Sequence, residues 1–92
     1  MTDPSRYRVE LAPAAQREFR GLSPADGARL RGPLLSLAMD PRPPGTTRLV
    51  GSQFWRVRIG DLRLVYAVDD ERRRVVVLRI ARRGERTYRR LR

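Results

Sequence analysis

Residues 55–66 read WRVRIGDLRLVY, a segment in which apolar and polar side chains alternate on both sides of a Gly-Asp pair. The alternation predicts two β-strands, and the Gly-Asp pair predicts a tight two-residue hairpin turn between them. With that turn, Arg58 lies directly opposite Arg63 on the neighbouring strand, and Arg56 points to the same face. The other face collects the apolar side chains of Trp55, Val57, Ile59, Leu62, Leu64 and Tyr66. We therefore expect a sheet that is apolar on one face and arginine-rich on the other.

The arginine-rich face of this hairpin indicates an anionic ligand. Like charges directly opposite each other destabilise a sheet by tenths of a kcal/mol to about 1 kcal/mol, and a bound anion would relieve that repulsion. Composition agrees, because the 21 basic residues are all arginine, only 10 residues are acidic and the net charge is +11. Codon usage in a GC-rich genome would explain arginine in place of lysine, but not this charge. We expect a nucleic acid as the first candidate partner, an acidic protein second and a membrane surface third.

The chain contains neither cysteine nor histidine. This excludes disulfide bonds, metal sites built from thiolates or imidazoles, and catalysis by Cys-His or Ser-His pairs. No apolar run approaches 18 residues, and the opening segment MTDPSRYR lacks the apolar core of a signal peptide. We therefore expect a cytoplasmic protein with no membrane span, no metal and no cofactor.

Start and stop signals in the first half of the chain predict one strand and two helices. Residues 6–11 alternate as a strand, and Pro13 suits the first turn of a helix that runs to about residue 20. Ser-Pro at residues 23–24 marks the start of a second helix, which should reach about residue 39. Pro33 interrupts that helix, and because proline removes a backbone hydrogen bond we expect a kink or a break there.

The second half predicts the remaining strands of a single domain that spans residues 1–92. The Pro-rich residues 40–45 should form a loop, and residues 47–50 are a candidate edge strand. Three strands follow, over residues 54–59, 62–68 and 75–80. The order is β-α-α-β-β-β, so the predicted fold class is α+β, with two N-terminal helices packed on one face of an antiparallel sheet of about four strands.

Counting register across the last two strands extends the arginine-rich face. The predicted cross-strand pairs are Asp69–Val75, Tyr66–Leu78 and Leu64–Ile80. The same register brings Arg79 to the face that holds Arg56, Arg58 and Arg63, and we call these four residues the arginine face. The tail that follows adds more basic residues and a tyrosine, namely Arg82, Arg83, Arg86, Tyr88, Arg89 and Arg90.

The arginine face suits the chemistry of phosphate. Guanidinium groups stay charged, donate in a planar fork and could stabilise the extra negative charge on a phosphorane during cleavage. Acid–base catalysis is harder to supply without histidine, and the candidates are Tyr88, a carboxylate such as Glu85, or an arginine that does not readily lose its proton. We interpret Asp61 as a turn residue, and Trp55 and Tyr66 as core packing.

Several segments resemble the RelE/ParE toxin superfamily, in a consistent order along the chain. They are the opening strand YRVEL, a helix with A-x-x-E-F, the loop DPRPPG, the block RLVGSQFWRVRIGDLRLVYAV and the closing IARRGERTY. The closing segment is most similar to the RelE branch. The resemblance implies the RelE-like fold and a toxin of a type II toxin–antitoxin pair.

For the RelE branch, the resemblance implies a ribosome-dependent mRNA interferase that works without a metal. The 2′-hydroxyl attacks the adjacent phosphate, and the 5′-oxygen leaves. Arg63 and Arg83 match positions that would stabilise the phosphorane, and Tyr88 matches the tyrosine that would orient the nucleophile or share in proton transfer. Arg56 and Arg58 match basic residues that are lysines in the best-known members. The remaining members of the predicted phosphate-binding set are Arg79, Arg82 and Arg86.

Two departures and two alternatives accompany this resemblance. Arginine replaces the family's lysines, and Arg82-Arg83 stands where many members have His-Arg, so the identities of the general acid and the general base stay open.

A ParE-like toxin would inhibit DNA gyrase by binding and cut no RNA, and a third alternative is a catalytically silent RNA- or antitoxin-binding module. The expected partners are an acidic antitoxin with an amphipathic helix, the ribosome and its mRNA, with DNA contacted only indirectly through the antitoxin complex.

Overall fold

The computed structural model describes residues 6–82, which form two helices and a sheet. In chain order the elements are β1 (Arg8–Leu11), α1 (Pro13–Arg20), α2 (Pro24–Met39), β2 (Thr47–Arg48), β3 (Trp55–Ile59), β4 (Leu62–Asp69) and β5 (Arg74–Arg82). The predicted α+β class and the predicted order of elements are confirmed. The sheet has five strands, because the candidate edge segment does form a short strand that pairs with β3.

The five strands lie in the order β1-β5-β4-β3-β2. Neighbours from β2 to β5 are antiparallel, whereas β1 is parallel to β5, with Leu11 opposite Val77. The sheet is therefore mixed rather than purely antiparallel. Parallel neighbours need a long connection, and here both helices and three strands lie between β1 and β5 in the chain.

Both helices begin where their proline signals predict. The Ser23 hydroxyl accepts the backbone N–H of Asp26 at 3.1 Å and caps α2, with Pro24 in the first turn. Helix α2 continues through Pro33 to Met39, so the alternative of a break at this proline is wrong. Leu30 lies before the proline and Leu37 after it, and both are buried against the sheet. This packing holds both halves of α2 in place. Neither described helix is long and apolar enough to cross a membrane.

The core lies between the helices and one face of the sheet. Its buried members are Ala15, Leu30, Leu37, Leu62, Leu64, Tyr66, Val75, Val77 and Ile80. Trp55 packs against this cluster, so the interpretation of Trp55 and Tyr66 as core packing is confirmed. The Tyr66 hydroxyl donates to the carbonyl oxygen of Pro41 at 2.7 Å, which ties the proline-rich loop to the sheet.

The cross-strand register agrees with prediction at the hairpin and departs from it at β5. Leu64 lies opposite Ile80 as predicted, but Tyr66 lies opposite Val77 and not Leu78. A register shift between Val65 and Tyr66 separates these two parts of the β4–β5 ladder. One extra residue on β5 accounts for the shift, because a bulge sets two residues of one strand against one of its partner.

Candidate functional site

The arginine face lies on the side of the sheet opposite the core side chains. Arg58 is the direct partner of Arg63, and Arg56 is the partner of Val65. Val65 is in turn the partner of Arg79 on β5. Directly opposed residues of antiparallel strands project to the same face. The register therefore brings all four predicted positions of the arginine face together across three adjacent strands.

The centre of the arginine face is buried from solvent. Arg63 is 8% exposed, Val65 is 0% exposed, and Ala81, which lies opposite Arg63, is 2% exposed. Arg58, by contrast, is exposed. A guanidinium that is shielded from water acts on a nearby anion more strongly than an exposed one, because less solvent screens the interaction. Arg63 thus lies at the floor of the face and Arg58 at its solvent side.

Five carboxylates in residues 6–82 form ion pairs with arginines, namely those of Glu10, Glu18, Asp26, Asp61 and Asp70. Within residues 6–82, neither Arg56 nor Arg58 forms an ion pair, and Arg56 makes only a long hydrogen bond of 3.4 Å to the Thr47 hydroxyl. The arginines that do form ion pairs in this part of the chain are Arg29, Arg42, Arg74, Arg79 and Arg82. Two cations of the arginine face therefore have no internal counter-charge among the described residues.

Arg79 occupies the predicted position, but its guanidinium is engaged by helix α1. Its Nη2 lies 2.7 Å and its Nε 3.1 Å from Oε2 of Glu18. The other carboxylate oxygen of Glu18 accepts the backbone N–H of Ile80 at 2.7 Å. The sequence predicted no role for Glu18. Its available signal was its place as the glutamate of the A-x-x-E-F segment, beside Phe19, which packs against the core.

Arg82 was predicted to join the phosphate-binding set, and the structure places it elsewhere. It lies opposite Leu62, a core residue, so strand alternation directs it to the helix side of the sheet. Its guanidinium donates to Asp26 Oδ2 at 2.7 Å and to Asp61 Oδ2 at 3.0 Å. Asp61 is a turn residue, as interpreted from the sequence. Four other predicted residues lie outside the described part of the chain, namely Arg83, Glu85, Arg86 and Tyr88.

A second charged cluster joins two loops at the other end of the sheet. Arg42 donates to both oxygens of Asp70, at 3.2 and 2.8 Å, and the Tyr7 hydroxyl donates to the same carboxylate at 2.6 Å. These bonds lower the pKa of Asp70 to about 2. The Arg42 guanidinium also lies over Trp55, with 5.0 Å from Cζ to the ring centroid. The cluster holds the fold together away from the arginine face.

No cluster of acidic side chains in residues 6–82 is arranged to hold a metal ion.

Comparison with known families identifies the chain. Residues 9–87 match the profile of the family described as ParE toxin of type II toxin-antitoxin system, parDE. The chain belongs to this family. No curated protein sequence matches this toxin.

Solved structures of RelE toxins share the toxin's fold. In the archaeal RelE–RelB complex from Pyrococcus horikoshii OT3, the match has a TM-score of 0.77 at 24% identity and covers 87% of this chain and 98% of that chain. The RelBE2 complex from Mycobacterium tuberculosis matches with a TM-score of 0.76 at 26% identity, over 92% and 100% of the two chains. The intact E. coli RelBE complex matches with a TM-score of 0.73 at 26% identity, over 87% and 99%. The toxin is therefore a RelE-like member of the RelE/ParE superfamily, as its sequence segments implied.

Proposed function

We propose that this toxin is a ribosome-dependent endoribonuclease that cuts mRNA without a metal. The observation that carries the proposal is the pair Arg56 and Arg58, two cations without a carboxylate partner in residues 6–82, beside the buried Arg63. Such a set suits one RNA phosphate, because exposed cations attract the backbone and a shielded one acts on charge that develops at phosphorus.

The proposed reaction is an internal transfer at phosphorus. The 2′-hydroxyl oxygen forms a bond to the adjacent phosphorus, the bond to the 5′-oxygen breaks, and a proton passes from the nucleophile side to the leaving oxygen. Arg63 and Arg83 would stabilise the phosphorane, and Tyr88 would orient the nucleophile or share in proton transfer. Arg56, Arg58 and Arg86 would hold the RNA backbone. The roles of Arg83, Arg86 and Tyr88 rest on the sequence resemblance.

The proposed partners follow from the family and from charge. RelE toxins have been solved in complexes with RelB antitoxins, which supports an antitoxin partner for this toxin as well. With a net charge of +11, the toxin should bind an acidic antitoxin whose amphipathic helix neutralises or occludes the arginine face. We further propose that residues 1–92 act as one toxin domain in the cytoplasm, where ribosomes and mRNA are available, and that DNA is contacted only through the antitoxin complex.

Cleavage on programmed ribosomes tests the proposal. Primer extension on the mRNA should show codon-phased cuts with the wild-type toxin, and Arg63→Ala should abolish them while the variant keeps a cooperative melting transition. A matched control is Arg31→Gln, which removes one exposed charge from helix α2 and should leave cleavage unchanged. Full toxicity of Arg63→Ala would exclude a phosphate-clamping role for this residue.

Gyrase inhibition is the second candidate, because the family profile that matches the chain is that of ParE toxins. The two candidates give different products in the same induced cells. Intact mRNA together with gyrase trapped on broken DNA would overturn the nuclease proposal and support the ParE-like alternative. Intact mRNA and intact DNA, with antitoxin binding retained, would support the silent binding module instead.

A further inference from the structure

Four charged side chains join the end of β5 to the β3–β4 turn and to helix α2. They are Asp26, Arg29, Asp61 and Arg82, and we call them the β5 anchor. Arg82 bonds Asp26 and Asp61 at 2.7 and 3.0 Å, while Arg29 lies 3.8 and 3.7 Å from the same two carboxylates. Two arginines and two aspartates leave the anchor without net charge. Its charges are thus balanced within the fold, in contrast to those of Arg56 and Arg58.

The geometry of Arg82 makes the anchor a link between three elements. One terminal nitrogen of its guanidinium bonds the aspartate of the hairpin turn, and the other bonds the aspartate in the first turn of α2. Asp26 is itself well fixed, because its side chain is 14% exposed and its backbone N–H is bonded to the Ser23 hydroxyl. Because the guanidinium is planar and bonds a different carboxylate with each terminal nitrogen, its position is fixed from two sides. The end of β5 is therefore tied to both elements.

The end of β5 needs such a tie, because within residues 6–82 it pairs with a neighbouring strand along one edge only. On one edge, β4 accompanies β5 as far as Arg82. On the other edge, the pairing with β1 stops at Val77, and past that point a side-chain carboxylate, that of Glu18, accepts the N–H of Ile80. A strand end with a neighbouring strand on one edge only is prone to local opening. The anchor acts at the point where that opening would start.

We propose that Arg82 is a positioning residue rather than an RNA ligand, and that its bonds to Asp26 and Asp61 fix the end of β5, directly before Arg83 in the chain. This inference rests on the proposed function, because only that function gives Arg83 and Tyr88 a catalytic role. The sequence places Arg83 directly after Arg82, so a shift of the strand end is passed on to the next residue. A displacement on the order of 1 Å is enough to slow a chemical step about a hundredfold.

The substitution Asp61→Asn separates the two roles, because they predict opposite results. Asparagine is accepted in a hairpin turn, so the turn survives while Arg82 loses one carboxylate. A positioning role predicts a single-turnover cleavage rate, at saturating toxin, that falls about ten- to a hundredfold with an unchanged half-saturating concentration. An RNA-binding role predicts the reverse, an unchanged maximal rate and a lower half-saturating concentration, because Arg82 loses one of its carboxylate partners and the net charge rises. That second result would overturn the proposal.

The pair Glu10–Arg74 provides a matched control at the other end of β5. Glu10 bonds Arg74 through both oxygens, each at 3.0 Å, and Glu10→Gln makes the same change in net charge. We expect Glu10→Gln to keep cleavage within about twofold of wild type, since its bond is remote from the strand end. Equal losses in Glu10→Gln and Asp61→Asn would show that net charge, and not the anchor, sets the rate.

Arg82→Lys is a second variant with opposite expectations. Lysine keeps the positive charge for a phosphate but cannot bond two carboxylates in a planar fork. Positioning by the fork predicts that the maximal rate falls in this variant too. Full activity of Arg82→Lys, combined with a lower half-saturating toxin concentration in Asp61→Asn, would show that Arg82 binds the RNA.

Amide hydrogen exchange tests the anchor independently of any reaction. In the isolated toxin, Asp61→Asn should lower the protection of the Ile80 and Ala81 amides, whereas Glu10→Gln should leave them unchanged. Unchanged protection in Asp61→Asn would overturn the anchor even if the toxin cuts RNA. If the wild-type toxin cuts no RNA, the proposed function fails by itself, and the exchange protection still decides whether the anchor holds the end of β5.

Discussion

Arg58 and Arg63 are direct partners on adjacent antiparallel strands, yet Arg58 is exposed and Arg63 is only 8% exposed. Repulsion between the two guanidinium groups destabilises the sheet at this point. The carboxylates that form ion pairs within residues 6–82 pair with arginines elsewhere in the fold. A surface with such an arrangement is better suited to bind an anion than to stabilise the free protein. Stability and binding should therefore respond in opposite directions to the loss of Arg58.

Arg58→Gln should stabilise the toxin by a few tenths of a kcal/mol and weaken its binding to RNA. The stabilisation comes from relief of like-charge repulsion across the sheet. In titrations of a short single-stranded RNA at several salt concentrations, the slope of log K against log salt should decrease in magnitude by about 0.7, the value for one phosphate contact. Arg31→Gln on helix α2 is the control, and we expect no change in its slope. A slope in Arg58→Gln equal to that of wild type would show that Arg58 contacts no phosphate.

Gly60→Ala should destabilise the toxin by about 1–2 kcal/mol, because Gly60 has a φ of +62°, where residues with a Cβ are strained. An added Cβ would also lie 3.0 Å from Nη1 of Arg29, which would have to move. Gly27→Ala is the control within helix α2, where an added Cβ meets nothing within 4 Å. That change should stabilise by up to about 1 kcal/mol, since alanine favours a helix over glycine. Urea unfolding of both variants checks the difference, and equal effects would contradict the strained turn.

Acid should weaken the fold through Asp70. Its pKa is about 2 in the folded chain, held down by Arg42 and Tyr7, against the usual 3.8. Because the folded pKa is the lower one, the pairing stabilises the fold above about pH 4, and that stabilisation is lost as the pH falls toward 2. Thermal melts from pH 7 to 2 should show this loss in the wild type. Asp70→Asn should lower Tm at pH 7 and flatten the decrease below pH 4.

Glu71→Gln is the control for Asp70, because it removes one negative charge from the next residue of the same exposed turn. We expect its melting profile to keep the wild-type shape below pH 4. A profile of Asp70→Asn that parallels the wild type throughout would show that another carboxylate dominates the acid response.

The sequence predicted the features of the fold that depend on local rules. Alternation with a period of two, together with Gly60 in the turn, was enough to place Arg58 opposite Arg63. Register at β5 was harder, because a bulge adds one residue and changes the partner of Tyr66 without any marker in the composition. The parallel pairing of β1 was missed for a similar reason, since strands far apart in the chain can pair in either direction.

The candidate site was predictable in part, for the same physical reasons. The placement of Arg56, Arg58 and Arg63 on one face was predicted from one short segment. The carboxylate partners were not, because Glu18 and Arg79 are 61 residues apart in the chain, and Asp26 and Arg82 are 56 apart. Contacts of this kind depend on how helices pack on a sheet, and a single sequence carries no local pattern for them.

Glu18→Ala should destabilise the toxin by about 1–3 kcal/mol, because it removes a charged acceptor from both Arg79 and the N–H of Ile80. Glu18→Gln should cost less than half of that, since its amide oxygen can still accept the Ile80 N–H at the open edge of β5. Urea unfolding at pH 7 measures both, with Arg20→Ala at an exposed position of the same helix as the control. If Glu18→Gln proved as destabilising as Glu18→Ala, the ion pair with Arg79, and not the backbone bond to Ile80, would be the contact that holds helix α1 to the sheet edge.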